Sequence, residues 1–167
     1  MDPAMADGPP FDNTSRTGFR DDQLARIGEL VVLCSNIEWN AYLAIELIAF
    51  PPDTSAEPVI GGESAGWIYD RLVRVAIELV EDDGLRTGWI AWVKDARALS
   101  EERNVVVHST WARSNLGMVG RRMQRRGASR HKHFDEGEVQ RLIEQGGKIA
   151  QQWGELIVAT WRPRGAR

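Results

Sequence analysis

Four stretches of this chain carry apolar residues at every third or fourth position, and proline or glycine breaks separate them. That spacing is the period of an α-helix. The first stretch, about 22–50, sets Leu24, Ile27, Val31, Cys34, Ala41, Ile45 and Ile48 along one face and stops at Pro51 and Pro52. The second, about 65–82, follows Ser64 as N-cap and carries Ile68, Leu72, Val75, Ala76 and Leu79; "EDDG" closes it, with Gly84 expected as a left-handed cap. The third, about 85–111, aligns Trp89, Val93, Ala96, Leu99, Arg103, Val107 and Trp111. The fourth opens on the capping pattern "DEGE" at Asp135 and runs to Trp161 through Val139, Leu142, Ile143, Gly146, Ile149, Trp153, Leu156 and Thr160, with Pro163 beyond it. No alternation is strong enough to build a sheet. The expected fold is all-α: a four-helix up-down bundle, with a basic loop or short hairpin before the last helix.

The domain is expected over 18–162, preceded by a flexible arm (1–17) and followed by a short basic tail (163–167). "MDPA" before Met5 reads as a vector-derived leader. At 167 residues and 43% hydrophobic content, the chain can bury one core without staples. The single cysteine, Cys34, forbids an internal disulfide and fits a reducing, cytoplasmic setting. No signal-peptide pattern opens the chain, no apolar run approaches the roughly 20 residues of a membrane span, and no membrane partner is expected. Gly146 and Gly147 inside the last helix cost about 1 kcal/mol each relative to alanine. Such residues permit close approach of another helix, within the bundle or across a dimer.

The net charge of −3 conceals an asymmetry. Between Arg113 and His133 lie six arginines, one lysine and two histidines with no acid, leaving 14 basic against 24 acidic residues elsewhere. One basic segment on an acidic body suits a local anionic partner. Arg121, Arg122, Arg125, Arg126, Arg130 and Lys132 could track a phosphate backbone without reading sequence. A solvated loop, or a surface for an acidic protein, fits the same composition.

Within "SEERNVVVHSTW" (Ser100–Trp111) an arginine, an asparagine and a histidine interrupt a valine run. Asn104 and His108 are four apart, on one helical face. Arg103 and His108 are five apart, about 140° around the axis, yet a long arginine can reach the same bound group. Histidine exchanges protons near neutral pH, arginine binds phosphate with a fork of donors, and asparagine can orient either. The trio suits metal-independent cleavage of an RNA phosphodiester by the neighbouring 2′-hydroxyl. No HExxH motif and no paired cysteines accompany it, and neither metal nor cofactor is expected. A lone helical histidine is more often structural, and "RGASRH" (Arg126–His131) repeats the Arg-x4-His spacing inside the basic segment.

"RNVVVH" resembles the Arg-polar-x3-to-5-His signature of HEPN domains, and "VVHSTW" is similar to the extension found in small bacterial members. The specific part of the likeness spans about six residues. It implies a helical bundle with the motif on a late helix, and Arg103, Asn104 and His108 as catalytic residues. It also implies a homodimer placing two motifs in one cleft, and metal-independent endoribonuclease activity of the toxin–antitoxin or defence type, with an antitoxin as possible protein partner. Some HEPN proteins only bind RNA, nucleotide or protein, which is the alternative. Supporting residues follow from the helical pattern. Glu38, a carboxylate on an apolar stripe, needs a partner, for which Arg103 is a candidate; snorkelling to water, or pairing with Arg71 or Arg74, fits the same pattern. Tyr42, one turn on, could line the same cleft, and Ser109 follows His108.

Overall fold

The computed structural model describes residues 18–50, 62–114, 117–122, 130–133 and 135–161. Helix α1 (Asp21–Ala49) starts where Arg20 and Gln23 close on each other, the Arg20 N–H donating to Gln23 Oε1 at 3.0 Å. Its core stripe is Leu30, Cys34, Ile37, Ala41, Ala44, Ile45 and Ile48. Leu24, expected on that stripe, is exposed. Helix α2 (Ala65–Leu79) is capped by Ser64, whose Oγ accepts from the Trp67 N–H at 3.3 Å, and buries Tyr69, Leu72, Val75 and Ala76.

The break after α2 differs from the expected one. Asp82 caps the next helix, α3 (Asp83–His108), its carboxylate accepting from the Leu85 N–H at 2.9 Å. Gly84 therefore lies in the first turn of α3 and is not a left-handed cap. An aspartate ahead of a free helical N–H is the stronger signal, because it satisfies a donor that the first turn leaves open. Helix α3 buries Trp89, Trp92, Val93, Ala96, Leu99 and Val106, and Val107, expected inward, is exposed. Trp89 and Trp92 meet edge to face, ring centroids 6.0 Å apart. Both bind α4 (Glu136–Thr160): Trp92 Nε1 donates to the Ile149 carbonyl at 2.8 Å and Trp89 Nε1 to Thr160 Oγ1 at 3.0 Å. Asp135 caps α4 by accepting from the Gly137 N–H.

The four helices form an all-α bundle, as the periodicity predicts. The up-down order does not hold for every pair. Along the α1/α4 seam, Arg20 meets Glu136, Arg26 meets Gln140, and the Trp153 indole N–H donates to the Asn40 carbonyl. Contacts advance in the same sense on both helices, so α1 and α4 run parallel, whereas a strict up-down order makes first and last helices antiparallel. On α3 and α4 the sense reverses: Trp92 reaches Ile149 and Trp89 reaches Thr160. The physical reason is loop length: fifteen residues separate Ala49 from Ala65, and a connection that long does not impose the antiparallel neighbours that a short helix–helix loop does.

A second departure follows α3. The helix ends at His108, and Trp111 belongs to strand β1 (Thr110–Ser114). Strand β2 (Gly117–Arg122) pairs antiparallel with β1 and with β3 (Arg130–His133), giving an antiparallel sheet in the order β1-β2-β3 where a loop or hairpin is expected. Gly117 and Gly120 in β2 hide the strand signal, since glycine weakens a strand interior and leaves no alternation to see. Trp111 is half-buried; its indole N–H donates to the Val106 carbonyl at 2.8 Å and its ring meets Phe19 edge to face. By length and composition α1 could cross a membrane, contrary to the expectation that no stretch could; in this fold its apolar residues supply the bundle core. The expected arm (1–17), the proline-containing break at 51–61, Arg125, Arg126 and the tail (163–167) lie outside the described residues.

Candidate functional site

The sequence motif splits into an inner and an outer part. Arg103, on the C-terminal third of α3, faces α1, where its Nη2 donates to Glu38 Oε1 at 2.5 Å. The pair is largely shielded, with side chains 16% and 24% exposed. Of the partners open to Glu38, the structure selects Arg103. One turn before Glu38 on α1 stands the buried thiol of Cys34, which burial pushes up to about 11 against the pull of the Arg103 charge. Tyr69 of α2 and Ser100 of α3 complete this polar core, their hydroxyls 3.2 Å apart. Burial pushes the Tyr69 phenol up to about 12. Arg103 Nε is buried and makes no hydrogen bond among the described residues. The pattern of apolar stripes conceals Tyr69 and Ser100: each directly follows a stripe residue, Ile68 or Leu99, and so falls about 100° off the expected face.

The outer part lies at the end of α3. His108 is the last residue of the helix and is exposed, while Asn104, one turn earlier, is half-buried. Ser109 is half-buried, and its hydroxyl donates back to the Val105 carbonyl at 2.5 Å, satisfying an acceptor that the helix end leaves open. Tyr42, expected to line the same cleft as Glu38, lies one turn beyond it on α1. It is buried, and its ring stacks on Trp39 of the same helix at 4.9 Å. The structure thus joins Arg103 to Glu38 and leaves His108 in solvent.

The basic residues enter through the strands. Thr110, two residues after His108, pairs with Arg121; Gly120 pairs with Lys132, and Arg122 with Arg130. This register carries Arg121, Arg122, Arg130 and Lys132 on a sheet whose first strand begins immediately after the motif. Among the described residues, no three His, Cys, Asp or Glu side chains converge so as to hold a metal ion. Chemically, an exposed imidazole can exchange a proton with a bound group, and arginines carried on neighbouring strands can neutralise phosphate charge.

Compared with known proteins, the chain matches no family model, no curated protein and no solved structure.

Proposed function

We propose that the protein is an endoribonuclease of the HEPN type that cleaves RNA without a metal ion. The observation that carries this reading is the exposed His108 at the end of α3, followed directly by a sheet bearing Arg121, Arg122, Arg130 and Lys132. The RNA 2′-oxygen attacks the adjacent phosphorus as His108 takes its proton. The P–O bond to the 5′-oxygen breaks, and that oxygen gains a proton, leaving a 2′,3′-cyclic phosphate and a 5′-hydroxyl. Loss and gain of protons call for two groups, which a homodimer supplies through the partner's His108. Arg103, once its hold on Glu38 is shared with the scissile phosphate, binds the charge that grows there, and Asn104 orients His108 or the substrate. The setting proposed is cytoplasmic, with an antitoxin or another protein as possible partner.

A second reading is supported by the Arg103–Glu38 pair itself. An arginine engaged at 2.5 Å in a shielded ion pair is a structural group, and a domain built this way can hold RNA, nucleotide or a protein without cleaving it. The experiment is RNA cleavage in EDTA by wild type and His108→Ala. Cleavage that survives EDTA and disappears in the variant, with cyclic phosphate ends, supports the nuclease. Equal cleavage by both sinks it, and RNA binding without cleavage favours the second reading.

A further inference from the structure

The RNA-binding reading gives no role to Trp39, an exposed aromatic on α1. Trp39 sits on α1 next to Glu38 and is 58% exposed, although its ring lies flat on Tyr42, interplanar angle 7° and centroids 4.9 Å apart. We infer that Trp39, backed by Tyr42, is a stacking platform for an unpaired nucleobase of the bound RNA. The inference rests on the RNA-binding part of the proposed function, and it extends that reading to the class of RNA: single-stranded, because a paired base has no free face to offer.

Three fixed points hold the platform. Glu38 is tied to Arg103 of α3, the Asn40 carbonyl accepts from the Trp153 indole of α4, and Tyr42 is anchored in the core. This turn of α1 is therefore fixed from two neighbouring helices, and the Trp39 ring is covered on the Tyr42 side while remaining largely open. A base stacking there loses little ordering entropy on the protein side. The surroundings favour a base over a protein partner. One turn back along α1 the exposed residues are Ser35 and Asn36, and the next large exposed apolar side chain, Val32, lies two turns away, about 10 Å along the helix. Along this part of α1 the exposed apolar surface is a single flat ring rather than a row of apolar side chains. Its neighbour in the helix, Glu38, holds Arg103, the cation assigned to the phosphate.

The test uses the full chain and a short single-stranded 2′-O-methyl oligoadenylate, which cannot be cleaved because its 2′-oxygen carries no proton. An abasic oligomer of equal charge serves as control. Wild type should prefer the base-bearing strand; Trp39→Ala should weaken binding to it by about 5- to 150-fold, with Trp39→Phe recovering most of the loss. Binding to the abasic strand should be unchanged by either substitution, and Trp39→Phe, which keeps a ring on Tyr42, should keep the melting temperature. Equal affinity of wild type and Trp39→Ala for the base-bearing strand overturns the platform. So does a Trp39→Ala protein that sediments as a smaller species, which would make this ring part of a contact between copies. Wild type that binds in this Trp39-dependent way but never cleaves RNA leaves the platform standing and removes the nuclease. Cleavage abolished by His108→Ala but indifferent to Trp39 does the reverse.

Discussion

Arg103 is where stability and chemistry meet. Removing it strands the Glu38 carboxylate between α1 and α3, and an uncompensated shielded charge is costly. The pair keeps some solvent contact, so we expect Arg103→Ala to cost about 1–3 kcal/mol, below the roughly 3–5 kcal/mol of fully buried pairs. Adding Glu38→Gln should restore much of the loss, and thermal melting of the two single variants and the double variant measures it. Equal melting temperatures for Arg103→Ala and the double variant would show that the stranded carboxylate carries no penalty, and single-variant losses that simply add in the double variant would show that the pair contributes nothing. The same polar core sets an alkaline limit. Cys34 and Tyr69 both hold their protons more tightly folded than unfolded, so their contribution is intact at neutral pH. It is lost as pH rises, from 9 to about 11 for Cys34 and from 10 to about 12 for Tyr69. Tyr69→Phe has no phenol to ionise, and its melting temperature should fall less steeply than wild type above pH 10. Parallel pH profiles would reject that assignment.

Two adjacent glycines on α4 separate what a helix interior needs from what its surface tolerates. A Cβ on Gly146 would come within 2.9 Å of Leu33 Cγ and 3.2 Å of Leu99 Cδ2, so the close approach expected from sequence occurs inside the bundle. A Cβ on Gly147 would meet nothing within 4 Å. Gly146→Ala should therefore destabilise by about 1–3 kcal/mol through overpacking, and Gly147→Ala should stabilise by up to about 1 kcal/mol through helix propensity. Urea unfolding of both variants checks the opposite signs. Helix positions were legible because periodicity records burial: the expected spans begin and end within a few residues of α1, α2, α3 and α4. Helix direction was not, because Pro51 and Pro52 announce a stop and say nothing of where the chain goes next. The strands were hidden by Gly117 and Gly120. At the site, Glu38 was legible as a carboxylate on an apolar stripe. Arg103 was legible too, as a member of the stripe that carries Trp89, Val93, Ala96 and Leu99. Which arginine meets Glu38, and the burial of Tyr42, depend on how α1 and α3 are rotated against each other, which no single stripe records.

As a whole, the molecule presents one exposed His108 per chain, and a reaction that moves two protons favours two copies. Cleavage rate per chain should therefore rise with protein concentration through the range in which sedimentation shows dimer forming. A strictly monomeric protein that cleaves RNA at full rate would remove the need for a second copy. The parallel pairing of α1 with α4 has a consequence for how the chain reaches its fold. The contacts that join these helices span 113 to 116 residues of sequence, so they form among the last on a growing chain. Until α4 leaves the ribosome, α1, apolar enough to pass for a membrane segment, lacks the helix that covers Leu33 and Asn40. The nascent protein is most exposed to aggregation and chaperone capture during that interval, and the 25 residues of α4 end it.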